Sequence, residues 1–148
     1  MKLLPIQELL PDNQDFINHP DCVESLKQSV AFYEKTGYFP PWIGYFAQNE
    51  DTLIGSASFK GVPQKGAVEI VYGTFPQYQH QGLGTLICKE LVRLALEADP
   101  TLKIRARTSP EKNYSTRILR KNGFELFGTS WDEQDGQVWE WEYRYRNS

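Results

Sequence analysis

Gln79-His80-Gln81-Gly82-Leu83-Gly84-Thr85 is the stretch that decides the reading of this chain. It follows an apolar run, Ala67 to Phe75, and opens a segment in which Leu83, Leu86, Ile87, Leu91, Leu94, Ala95 and Ala98 recur at three- and four-residue steps. That spacing predicts a long amphipathic helix stopped by Asp99-Pro100. A helix N-terminus offers unpaired N–H donors and about half a positive charge, and glycines let a ligand approach the backbone. The loop is therefore suited to cradle a phosphate or pyrophosphate without any Lys or Arg. Two common nucleotide loops do not fit. A P-loop needs Lys and then Ser or Thr after its second glycine, but Thr85 follows Gly84 directly; a dinucleotide fingerprint needs a third glycine where Ile87 stands. What remains is Q-x-x-G-x-G.

Outward from the loop, the chain reads as one continuous α/β domain over residues 1–148. Residues 11–37 carry Val23, Leu26, Val30, Phe32 and Tyr33 at helical spacing and predict one or two helices, with Gly37 as the stop and Pro40-Pro41 as a breaker. Two apolar runs, 42–48 and 52–59, flank the turn-forming Asn49-Glu50-Asp51 and predict a hairpin. After the long helix, 103–108 reads as a strand, 112–122 as a helix ended by Gly123, and 124–131 as a strand before the Asp135-Gly136 turn. From Val138 onward Trp139, Trp141, Tyr143 and Tyr145 alternate with Glu140, Glu142, Arg144 and Arg146, the period of a strand with one buried face.

Bulk properties narrow the function classes. Of 148 residues 16 are Lys or Arg and 19 are Asp or Glu, a net charge of -3 that argues against a nucleic-acid surface. No apolar stretch approaches the roughly 20 residues of a membrane span, and Met1 to Pro5 lacks a signal peptide's cleavage site. Cys22 and Cys88 lack metal-ligand spacing and read as reduced thiols of a cytoplasmic protein. No metal is expected.

The loop resembles the coenzyme A loop of the GNAT superfamily of N-acetyltransferases. Flanking words stand in that family's order: Val68-Glu69-Ile70-Val71-Tyr72 before it, and Ser115-Thr116-Arg117-Ile118-Leu119-Arg120-Lys121-Asn122-Gly123-Phe124 after it. The match is most similar to the branch of ribosomal-protein N-terminal acetyltransferases and runs from about Trp42 to Tyr143. It implies a mixed, mostly antiparallel sheet flanked by helices and splayed between the Ala67 and Lys103 strands to admit acetyl-coenzyme A as co-substrate. The acceptor would be the amine of a small molecule or of a protein N-terminus, and a homodimer is one possible assembly.

Acetyl transfer needs an unprotonated amine, a stabilised oxyanion and a proton for the departing thiolate. Glu69 is a carboxylate in an otherwise apolar run, so burial there is expected to raise its pKa toward that of a general base. The resemblance puts the family's frequent glutamate at the same position. It also implies that Gly73 permits the strand to distort, that Thr74 and Phe75 offer backbone groups to the pantetheine arm, and that Gln79, His80, Gln81, Gly82, Leu83, Gly84 and Thr85 hold the pyrophosphate. Many relatives carry an asparagine three residues before the matching serine and a tyrosine four after it. Here those positions are Lys112 and Leu119. Asn113, one residue late, is the stand-in for cofactor binding, and Tyr114 and Ser115 are the candidate acids. Two rivals remain: an acyl-coenzyme A sensor without turnover, and an interaction domain whose aromatic terminal strand is a dimer face.

Overall fold

The computed structural model describes residues 1–144. Seven strands form one sheet in the order β1-β2-β3-β4-β5-β7-β6. They are β1 (Lys2–Pro5), β2 (Gly44–Asn49), β3 (Thr52–Phe59), β4 (Ala67–Thr74), β5 (Lys103–Thr108), β6 (Phe124–Asp132) and β7 (Gly136–Tyr143); the helices are α1 (Gln14–Ile17), α2 (Val23–Thr36), α3 (Leu83–Ala98) and α4 (Tyr114–Lys121). Every pairing is antiparallel except β4 with β5. The expected mixed, mostly antiparallel sheet flanked by helices is therefore the observed one. No helix among the described residues is long and apolar enough to cross a membrane.

Two glycines show which face carries which helices. A Cβ on Gly44 would meet Ser29 and Tyr33 of α2, whereas a Cβ on Gly55 would meet Ile87 of α3. Gly44 pairs with Ser58 and Gly55 with Ala47, so these two groups point to opposite sides. The α3 side buries Ile70, Ile87, Leu91, Ile104 and Trp141 nearly completely. Arg120 of α4 lies over the Trp141 ring at 5.0 Å. The aromatic stripe of β7 is thus a core face, and β7 lies inside the sheet between β5 and β6, so the dimer-face rival loses its surface. Tyr145 and Arg146 of that stripe lie outside the described residues.

Three departures have local causes. β1 was not expected: Met1 to Leu4 is too short to show a period, and only its ladder to residues 45–48 makes it a strand. The helix expected over 112–122 begins at Tyr114, because Asn113 caps it: Asn113 Oδ1 accepts from the Thr116 N–H while Thr116 Oγ1 accepts from the Asn113 N–H. On α2 only Leu26 and Tyr33 are fully buried; Phe32 is 38% exposed and faces a cavity.

Candidate active site

The β4–β5 ladder is short. It pairs Ala67 with Lys103, Val68 with Ile104 and Glu69 with Arg105, and then the strands part. Beyond that point lies a cleft of about 440 Å³ lined by Glu69, Val71 and Tyr72 of β4, Arg107 of β5, Ser115 and Leu119 of α4, and Asp132 and Asp135 of the β6–β7 hairpin. The Lys60 N–H donates to Glu69 O and the Phe75 N–H to Ile54 O, so odd-numbered residues of this segment turn their backbone groups toward β3. Strand alternation then turns the N–H and C=O of Tyr72 and Thr74 toward the side β5 has left. This corrects the expectation for Phe75: its N–H is already bonded to Ile54, and its side chain is buried at 8% exposure. Of the backbone from Tyr72 to Thr74, where the resemblance put the oxyanion donor, strand parity turns Tyr72 and Thr74 toward the cleft side and Gly73 toward β3. Gly73 has open space where a Cβ would stand.

Glu69 is not in the apolar burial expected of it. On its face of β4 no helix covers the sheet, and the carboxylate pairs with Lys60 Nζ at 2.9 Å and stands 3.7 Å from Arg107 Nε. Arg107 also reaches Glu140 at 3.2 Å and Asp132 at 3.6 Å. Asp132 is held below the usual carboxylate range, first by the Asp135 and Gln134 N–H groups donating to it, with Arg107 and Lys60 adding less. Glu69 thus sits at the open end of a polar cluster, in contact with the cleft and with water. On the other wall Tyr72 is the reverse case: burial, then its Cys88 neighbour, push its phenol well above the ordinary value.

The glycine loop lies at the start of α3. Gly82 caps the helix at φ 81° with nothing within 4 Å of where a Cβ would stand, so its backbone is open to a ligand and its conformation favours glycine. Gly84 has a different role: a Cβ there would be 2.7 Å from Ile118 Cδ1 and 3.3 Å from the Tyr114 hydroxyl, so it permits α3 and α4 to touch. Leu83 is buried, and Thr85 O accepts from Asn122 Nδ2 at 3.2 Å. Gln79 donates to Thr74 O at 3.1 Å, tying the loop to the end of β4, and Gln81 reaches Gln77 O at 3.5 Å. A second cavity of about 250 Å³ opens here between His80, Gly82, Thr85, Tyr114, Arg117 and Lys121. Arg117 and Lys121 make no ion pair among the described residues and lie one and two turns after Tyr114 on one face of α4. The sequence reading had held that the loop needs no cation; two stand beside it.

The three α4 candidates fall in different places. Ser115 lines the splay together with Leu119, while Tyr114 lies with the loop, its ring 5.0 Å from that of His80 and its buried hydroxyl without a hydrogen-bond partner. Asn113 Oδ1 is used by the helix cap, and its Nδ2 faces Ser109 and Glu111.

The splayed β4–β5 pair thus stands beside a glycine-capped helix. The model of the acetyltransferase (GNAT) domain matches residues 6–125. The chain belongs to the GNAT acetyltransferases. That family uses acetyl-coenzyme A as its acyl donor. Among solved structures, a spermidine N-acetyltransferase SpeG chimera from Vibrio cholerae and hSSAT is similar at 15% identity, covering 97% of this chain and 95% of that one with a TM-score of 0.72. RimL, a ribosomal L7/L12 α-N-protein acetyltransferase in complex with coenzyme A, is similar at 15% identity over 95% of this chain and 91% of its own, TM-score 0.68. The ribosomal-protein-S5-alanine acetyltransferase from Vibrio fischeri is similar at 17% identity over 80% and 68%, TM-score 0.61. At these identities the likeness is one of fold. No curated protein matches the chain in sequence.

Proposed function

We propose that this GNAT domain is a working cytoplasmic N-acetyltransferase that passes acetyl from acetyl-coenzyme A to a primary amine by direct attack. The observation that carries the reading is the backbone edge of Tyr72 and the Thr74 N–H, turned away from β3 toward the cleft between the Glu69 carboxylate and α4; the Thr74 carbonyl is held by Gln79. The pantetheine arm would pair with that edge as an added strand. Its pyrophosphate would lie on the α3 N-terminus at Gly82, with Arg117 and Lys121 alongside.

The chemistry follows from these positions. Glu69, through a water, takes the proton that an acceptor ammonium must lose, so that the neutral nitrogen attacks the thioester carbonyl. The Tyr72 N–H is directed to where the oxyanion develops. As the C–S bond breaks, the thiolate takes, through water, the proton that the attacking nitrogen sheds on becoming an amide, since a thiol near pKa 8.5 is a fair leaving group and Leu119 offers no acid. Lys60 and Arg107 hold the Glu69 carboxylate in its place and leave it a lone pair for the water.

Glu69→Gln tests the reading. It should lower kcat about a hundredfold at neutral pH, in the range expected of one general base, while the acetyl-coenzyme A Kd from calorimetry stays constant. Wild-type rates in the variant would remove Glu69 from the mechanism. Donor binding without turnover of any amine would favour the sensor.

A further inference from the structure

A cavity that the chemistry above leaves unused adjoins the cleft. It measures about 280 Å³, lies between α2 and the β2–β3 hairpin, and shares Lys60 and Val71 with the cleft. Val71 and Glu69 point to the same side of β4 about 7 Å apart along the strand. A molecule seated in this cavity with an amine at its inner end would therefore present nitrogen beside Glu69.

Its walls are specific in kind. Ser25 and Ser29, with Gln28 and Phe32, form one face of α2 by their three- and four-residue spacing, and Ser56 and Ser58 face them from alternate positions of β3. The four serines are half-buried, and none of their hydroxyls has a hydrogen-bond partner among the described residues. The tyrosines of the cavity present rings only: the Tyr33 hydroxyl is taken up by Ile6 O and Gly44 N, and that of Tyr45 by Pro41 O. No lining residue is acidic, and the one charge is Lys60, at the passage to the cleft.

Resting on the acetyltransferase reading, we propose that this cavity is the acceptor subsite and selects a small monoamine with an uncharged, hydroxyl-bearing tail, of the amino-alcohol or amino-sugar class. Free serine hydroxyls both donate and accept, so they pair with hydroxyls of either orientation. Ring faces cover the C–H surface of such a frame. A second ammonium in the tail would find no carboxylate and would meet Lys60, so polyamines are disfavoured. A purely apolar tail would leave the four hydroxyls without partners. The volume lies at the small end of ligand pockets, roughly 300 to 1,000 Å³, and suits one sugar-sized group.

The test compares glucosamine and serinol with butylamine and putrescine, in the wild type and in a Ser56→Ala/Ser58→Ala double variant. With acetyl-coenzyme A and thiol-release detection, kcat/KM should be at least tenfold higher for the hydroxylated amines than for the other two. The double variant should raise KM for the hydroxylated amines at least fivefold, narrow their advantage over butylamine, and leave acetyl-coenzyme A affinity unchanged. Saturable binding of glucosamine without donor, by calorimetry, should weaken in the double variant by the same factor. A preference for putrescine or butylamine, or serine replacements without effect on glucosamine, would overturn the proposal. If glucosamine binds and acetyl-coenzyme A does not, the transferase reading falls and the subsite stands. If the donor binds and glucosamine does not, the subsite falls and the transferase stands.

Discussion

Tyr33→Phe removes one oxygen and should cost the fold more than any other single-atom change in the N-terminal half. The hydroxyl of this buried tyrosine donates to Ile6 O at 3.0 Å and accepts the Gly44 N–H at 2.9 Å. It therefore joins α2 to the segment after β1 and to the first residue of β2. Phenylalanine keeps the ring packing, including the edge contact with Tyr38 at 5.0 Å, and leaves a donor and an acceptor unpaired in the interior. At about 1 to 3 kcal/mol for each buried group left unsatisfied, less some relaxation, the loss should be about 2 to 4 kcal/mol. For a domain of this size that lowers Tm by roughly 9 °C. Tyr45→Phe is the control, since its hydroxyl makes one bond, to Pro41 O, and should cost about 1 kcal/mol. Urea titration at constant m-value measures both. A Tyr33→Phe loss below about 0.5 kcal/mol, or equal to that of Tyr45→Phe, would refute the view that this hydroxyl ties the layers together.

Three further outcomes are expected. Gly82→Glu should weaken acetyl-coenzyme A binding at least a hundredfold with the fold intact, because Gly82 has open space around it and a carboxylate there would repel the pyrophosphate; unchanged calorimetric affinity would sink the loop assignment. The corresponding Gly84 variant would not serve, since its side chain would strike Ile118. Tyr114→Phe should leave stability equal or up to about 1 kcal/mol higher, because the hydroxyl it deletes is buried without a partner, and should cost less than about tenfold in kcat. A loss beyond a hundredfold would make Tyr114 the acid. Stability should also fall at alkaline pH: burial pushes Tyr33 and Tyr45 from 10.0 up to about 12 and Cys88 from 9.0 up to about 12. Raised values mean that stability is complete below about pH 9 and is withdrawn as pH rises toward 12, by about 3 kcal/mol for each tyrosine, so a flat Tm between pH 8 and 11 would contradict these burials.

What could be read from the sequence follows from how far apart the deciding residues lie. The glycine loop, the α3 period and the β7 alternation are contiguous words, and each became the element it predicted. The charged environment of Glu69 could not be read from its own run of Ala67, Val68, Ile70 and Val71, because its partners Lys60, Arg107 and the Arg107-bound Asp132 come from three other strand ends. Burial was expected of Glu69 because its run is apolar; one face of β4 carries α3, while Val71 on the other is 44% exposed. The same contrast holds between the two proposed halves of the site. A phosphate cradle needs a helix N-terminus and two glycines, which adjoin one another in sequence. An acceptor pocket needs the side chains of Ser25 and Ser29 to face Ser56 and Ser58, and that meeting depends on where α2 comes to rest over the hairpin. Tyr33 sets that position through its two backbone bonds, and nothing in the sequence distinguishes it from the other tyrosines before the fold brings Ile6 and Gly44 to its hydroxyl. On the proposed reading, specificity is accordingly written in packing between distant segments, whereas the reaction type is written in one loop.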